Sequence, residues 1–187
     1  MTALLLSSAD INDRTTSGNH ELWKYAVITL GDTAHTQNLG FIMNQRVQNI
    51  DYKQITKIYG LKSELPRCQI YCGGPVGTEK ATIIHSPDYN QESTQKINPN
   101  CSITFNDKII SDINKKQGPK HWKVLLGYCM WHDGQLDAEI IKPGGWLEQS
   151  WDNTVWGEYK RKDKMWRRLI EKQSNRDAKK FLDKVFS

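Results

Sequence analysis

The residues with chemical reach in this chain are four cysteines, five histidines and a few carboxylates. Their spacing decides which chemistry is open to them. Cys68 and Cys72 form C-x3-C, and Cys129 and His132 form C-x2-H, ligand types that zinc accepts. All four cysteines nevertheless lie in apolar, strand-like runs, where cysteine is ordinarily a small buried hydrophobe. On a strand, positions i and i+4 point the same way but stand about 13 Å apart, so Cys68 and Cys72 share a metal only if a turn intervenes. No metal site is expected. His85-Ser86 with Asp88 close by offers the residue types of nucleophilic hydrolysis, yet no G-x-S-x-G elbow surrounds a serine. Asp137 and Glu139, at i, i+2 on a helical stretch, diverge instead of pairing. Gly73-Gly74-Pro75-Val76-Gly77 follows a strand, as a phosphate loop does. It lacks G-x-G-x-x-G and the G-K-[ST] ending, and Pro75 has no N–H to give a phosphate. The turn reads as structural. These patterns predict neither a catalytic constellation nor a cofactor, and a non-enzymatic role is favoured.

The elements that must hold these residues are short and irregularly mixed. Leu4–Ser7, Trp23–Leu30, Leu39–Asn44, Cys68–Cys72, Ala81–His85, Cys101–Phe105, His121–Trp131 and a piece from Trp146 read as strands, with aromatic and β-branched residues between turn signals. A hairpin across Asp32–Asn38 is expected. Ile50, Ile55, Ile58 and Tyr59 lie near helical spacing before Gly60. Ile109, Ile110 and Ile113 form a stripe behind Asn106, a credible N-cap. Gly134–Lys142 reads as a short helix ended by Pro143-Gly144-Gly145. Residues 86–100, with two prolines and three asparagines, read as loop. The irregular alternation favours an α+β fold over a doubly wound parallel sheet.

The 187 residues suit one core, because seven Trp, seven Tyr and four Phe offset a modest 37% hydrophobic content. The first apolar run stops at Leu6 without a basic flank, so neither a signal peptide nor a membrane span is expected. A cytoplasmic location with reduced thiols follows as an expectation.

The net charge of +5 is unevenly placed. Residues 158–187 carry eleven Lys/Arg against five Asp/Glu, whereas the rest carries 15 against 16. Two helices are expected here, the second starting at a Ser174/Asp177 capping box. Lys164, Arg168, Lys172, Arg176 and Lys180 are the candidate nucleic-acid contacts. Steps of four advance 40° past each helical turn, so these cations spiral instead of forming one stripe. Pairs such as Arg167–Glu171 and Lys179–Asp183 account for much of that charge.

Four ordered stretches resemble the bacterial YqgE/AlgH family. They are LGFIMNQ at 39–45, IYCGGPVGTEKATIIHS at 70–86, Ile103–Asp107 with Gly118-Pro119-Lys120-His121-Trp122, and LGYCMWHDGQLDAEIIKPGGWL at 126–147. The last is similar to that family's L-G-Y-A-G-W-G-P-G-Q-L-E-x-E-I…W-L. Here Cys129, Met130, His132 and Asp133 stand where small residues or Pro are usual. The resemblance runs over about residues 1–172 and leaves the last basic helix outside. It implies an α+β domain with a coiled, branched, mostly antiparallel sheet and flanking helices; the domain is expected over 1–157, with the basic 158–187 docked on it as a helical extension. It implies no known reaction. One branch is described as a candidate transcriptional regulator, although no helix-turn-helix, zinc finger or basic zipper is visible here.

The leading expectation is therefore a regulatory or interaction protein acting through a protein or small-molecule partner. A nucleic-acid-associated factor using the basic end, and a hydrolase or ligand-binding enzyme near His85, are the alternatives. Asn44, His85, Tyr128 and Gln135 stand at strand or helix ends, where polar groups can converge on a cleft. Gly73, Gly74 and Trp131 complete the candidate ligand-binding set.

Overall fold

The computed structural model describes residues 4–8, 20–31, 38–58 and 60–186, except the side chains of His20 and of residues 180–186. The strands are β1 (Leu4–Ser7), β2 (Val27–Leu30), β3 (Leu39–Ile42), β4 (Ile70–Cys72), β5 (Val76–His85), β6 (Thr94–Asn98), β7 (Cys101–Thr104), β8 (Trp122–Met130) and β9 (Trp146–Gln149). The helices are α1 (His20–Trp23), α2 (Tyr52–Ile58), α3 (Lys108–Asn114), α4 (Gln135–Ile141) and α5 (Lys162–Phe186), with a 3-10 turn at Asn153–Trp156. The strands follow the order β6-β7-β5-β8-β3-β2-β1-β9, and β4 joins β8 off this path. Only the β4–β8 pairing is parallel among them; the others are antiparallel. The fold is α+β with a curled, branched sheet.

The branch is built on β8. Its first half carries β4 and β5, with Ile70 opposite Val124 and Ile83 opposite the same residue. Its end turns to β3, where Gly40 faces Cys129 and Leu39 faces Met130. Gly127 is the joint, at φ +73°, and an added Cβ would stand 2.5 Å from the Gly74 carbonyl oxygen and 2.7 Å from that of Val76. Only glycine meets both demands. The β5–β8 register shifts here, between Val76 and Ala81, so one long strand serves two sheet halves.

Both faces of the sheet are buried, and strand alternation sorts the core. Leu4 and Leu6 of β1 enter a cluster with Tyr71, Ile84, Leu125 and, from α5, Met165 and Leu169. Leu5 points the other way, into a cluster with Ile28, Ile42, Trp131 and Trp146. A third cluster packs Ile55 of α2 and Ile109 and Ile110 of α3 on Ile70, Ile83 and Val124.

Three expectations change. The strand expected from Trp23 begins at Val27, because Trp23 closes α1 and Tyr25 turns the chain at φ +58°. The stretch read as loop contains β6, whose polar TQKIN pairs with β7 at the sheet edge; an edge strand has no need of an apolar pattern. The two expected basic helices are one continuous α5. No Gly or Pro interrupts it, and Gln173 Nε2 bonds both Asp177 oxygens at 3.0 Å, so Asp177 stabilises the helix interior instead of starting a new one. No helix among the described residues is long and apolar enough to cross a membrane.

Candidate functional site

In β8 a charged residue occupies a core position. Lys123 lies opposite Ile84, and only 3% of it is exposed. Its Nζ donates to the Met43 carbonyl at 2.8 Å and the Gly157 carbonyl at 3.2 Å. It also stands 4.3 Å from the centroid of the Tyr71 ring, within cation–π range. The ammonium thus ties the residue after β3 to the segment leading into α5. Burial pulls the Lys123 pKa down to about 7, partly opposed by the Glu158 carboxylate.

Tyr71 is held on β4 by its parallel pairing, opposite Leu125. It is 2% exposed, and its hydroxyl is buried without a hydrogen-bond partner. Burial, and then Glu158, push its pKa up to about 12, so the hydroxyl keeps its proton. The Cys68 thiol is pushed to about 12 by the same two causes and is a poor nucleophile. These side chains line a cavity of about 200 Å³, with Arg67, Lys120 and Glu158 also in its walls. His121 stacks on Trp156 across another wall, ring centroids 5.9 Å apart and planes at 12°. Chemically the site offers hydrogen-bond donors and positive charge in partly dry surroundings.

The residues selected from sequence lie elsewhere, in several places. Asn44, 2% exposed, accepts the Val27 N–H at 3.0 Å and donates to the carbonyls of Tyr25 (2.8 Å) and Lys162 (2.9 Å). It clamps the start of β2 to the start of α5. His85 is fully buried, with Nδ1 2.8 Å from the Ser86 carbonyl and Nε2 2.9 Å from the Thr104 hydroxyl. The carbonyl requires the proton on Nδ1, leaving Nε2 to accept from Thr104. Burial lowers its pKa, against the Ser86 carbonyl and Asp88. Asn44 and His85 thus each have protein partners of their own, and the expected shared cleft is not formed. Gly73 and Gly74 serve the β4–β5 turn, where an added Cβ would stand 2.2 Å from the Gly127 oxygen or 2.1 Å from the Tyr128 carbonyl carbon. Tyr128 is half-buried against the large core cluster.

Trp131 and Gln135 do meet, around a residue that sequence reasoning set aside. Glu139 Oε2 accepts the indole N–H groups of Trp131 (3.0 Å) and Trp146 (2.8 Å), and its Oε1 accepts from Gln135 Nε2 at 2.8 Å. Gln135 Oε1 also accepts the His132 N–H at 3.0 Å. The arrangement fastens α4 to β9 and reads as architecture.

The basic helix is partly committed as well. Lys172 Nζ and Arg176 Nη2 bind Asp152 at 2.8 and 2.9 Å. Burial pushes the Asp152 pKa up, but the bonds from Lys172 and Thr154 prevail and hold it at about 2. Arg167 pairs with Asp163, not Glu171. Lys164 and Arg168 are exposed, while the Lys180 side chain lies outside the described residues, as does Asp183. Among the described residues no group of three His, Cys, Asp or Glu is placed to hold a metal ion.

Lys123, Tyr71 and Glu158 were missed from sequence. One signal was present: Lys123 is a lone charge inside WKVLLGYCM, the longest apolar run. Nothing local marks Glu158.

Comparison with known proteins bears on the family and the fold. Residues 13–177 match the family model described as AlgH-like, DUF179. A UPF0301 protein of Rickettsia africae is 37% identical over 110 residues, 57% of this chain, and the chain spans 58% of that relative's length. A UPF0301 protein of Methylococcus capsulatus is 30% identical over 135 residues, 71% of this chain and 72% of that protein. The solution structure of AlgH from Pseudomonas aeruginosa superposes with a TM-score of 0.65 at 19% identity, covering 88% of this chain and 84% of that one. A crystal structure from Corynebacterium diphtheriae gives 0.57 at 13%, with 83% and 78% covered. Those two likenesses concern the fold. By the reach of the family match, the chain belongs to the AlgH-like family.

Proposed function

We propose that this chain is a non-enzymatic regulatory protein that acts through a small-molecule partner held in the cavity of Lys123 and Tyr71. The observation that carries the reading is the Tyr71 hydroxyl, buried without a partner. An unsatisfied buried polar group costs about 1–3 kcal/mol, and a bound ligand removes that cost. Lys123 supplies the regulatory element, because its two carbonyl partners belong to Met43 and Gly157. A ligand that draws on the ammonium alters the tie between the sheet and α5. In this reading any influence on transcription is indirect, and the location is cytoplasmic, supported by four free thiols.

A thermal-shift screen of small metabolites against the full chain and Tyr71→Phe tests the reading. A ligand at about 100 times its Kd adds about 2.7 kcal/mol, which raises Tm by roughly 5–10 °C at this size. A compound that stabilises the parent strongly and Tyr71→Phe weakly supports the reading. If no compound separates the two proteins, the reading is wrong. Salt-dependent DNA binding in the same preparation then favours the basic helix as the functional element.

A further inference from the structure

We propose that the group received by this cavity is a compact oxyanion, a carboxylate or a phosphate, gripped by the Tyr71 hydroxyl and the Lys123 ammonium. The inference rests on the ligand-binding reading above and adds the chemistry of the ligand. An ammonium has three N–H donors, and two of those of Lys123 go to the Met43 and Gly157 carbonyls. Both partners are neutral, so this buried charge lacks the direct ion pair that ordinarily offsets desolvation. The third N–H has no hydrogen-bond acceptor among the described residues, and the Tyr71 ring centroid lies 4.3 Å from the same nitrogen. The Tyr71 hydroxyl, which retains its proton, is a second donor without an acceptor. Tyr71 and Lys123 both line this cavity; a buried donor without an acceptor calls for one, and the charge beside it calls for an anion. Arg67 and Lys120, both exposed, add positive charge at the walls, against the single carboxylate of Glu158. At about 200 Å³ the cavity is roomier than one oxyanion needs. The stacked His121–Trp156 pair offers the rest of a small molecule an aromatic wall.

Glu158 supplies the sign that separates this proposal from its opposite. It repels an anion and attracts an amine, so Glu158→Gln tightens the first and weakens the second. The experiment is an amide NMR titration of the full chain with sodium phosphate, sodium acetate and methylammonium chloride at constant ionic strength and about pH 6, below the Lys123 pKa of about 7, where the ammonium is charged. The same titrations are run on Tyr71→Phe and on the surface variant Glu158→Gln, with the dispersion of the free spectra reporting folding. Saturable shifts of the amides at 67–71, 120–123 and 156–158 are expected with at least one anion. Affinity should fall about tenfold in Tyr71→Phe, the worth of one hydrogen bond, and rise in Glu158→Gln. Phosphate acting alone identifies a phosphoryl group, acetate alone a carboxylate, and both together the shared class. Saturation by methylammonium, weakened in Glu158→Gln, overturns the oxyanion but leaves the cavity as a ligand site. Absence of anion-induced shifts at these amides overturns the inference, while the metabolite screen judges the wider reading separately.

Discussion

Lys123→Met isolates the cost of a buried ammonium, because methionine keeps most of the length and removes the charge. The folded Lys123 has its pKa lowered from 10.5 to about 7 by burial. Between those values the unfolded chain binds a proton that the folded chain has lost. Stability therefore rises with pH through that window. At about 1.36 kcal/mol per pKa unit, the rise between pH 6.5 and 9.5 is about 3 kcal/mol, and the variant lacks it. The assay is urea denaturation of both proteins at pH 6.5, 8 and 9.5, followed by tryptophan fluorescence. Relative to the parent, Lys123→Met should be most stable at pH 6.5 and lose about 3 kcal/mol of that advantage by pH 9.5. The upward shifts of Cys68 and Tyr71 act in both proteins and largely cancel in the difference. Its own offset, from the hydrogen bonds that the Met43 and Gly157 carbonyls lose, is nearly independent of pH. Parallel stability curves would refute the reasoning, since they mean that Lys123 keeps its ordinary pKa and reaches water. An equal result in a His121→Gln background removes the imidazole in the cavity wall as the source, leaving Arg67, Lys120 and Glu158 as the charged groups around the cavity.

Asp152→Asn releases Lys172 and Arg176 from their shared carboxylate; both cations are about 40% exposed, so the loss at pH 7 should be about 1–2 kcal/mol by urea denaturation. Because the Asp152 pKa is depressed from 3.8 to about 2, the parent's advantage should be present above pH 4 and disappear as pH falls to 2. Glu139→Gln weakens the acceptor of two indole N–H groups; a loss of about 1–3 kcal/mol is expected, with changed near-ultraviolet circular dichroism from Trp131 and Trp146. Gly127→Ala places a Cβ against two carbonyl oxygens at φ +73°; a loss of about 2–4 kcal/mol in chemical denaturation is expected.

Much of the architecture was legible because its signals are local. The short apolar run LLLS and the long strand-like run WKVLLGYCM marked β1 and β8, the isoleucine stripe marked α3, and Gly134 and Pro143 bracketed α4. Local polarity misled at β6, where an edge strand is held by backbone pairing, and at Ser174, where a capping pattern lies inside a longer helix. His85 and Asn44 were singled out as polar residues at element ends. Tertiary packing gave each a set of protein partners that no local pattern contains.

The candidate site shows the division most sharply. Sequence alone determined the α+β class, the family resemblance and the glycines at turns, because periodicity and backbone permissiveness act over a few residues. Tertiary structure alone decided that Lys123 is a buried ammonium beside an unpartnered Tyr71 hydroxyl and that Glu158 approaches them both. Charge state and hydrogen-bond satisfaction depend on desolvation and on neighbours far apart in the chain. Here those neighbours come from β4, β8 and the segment before α5, which only the folded sheet brings into contact.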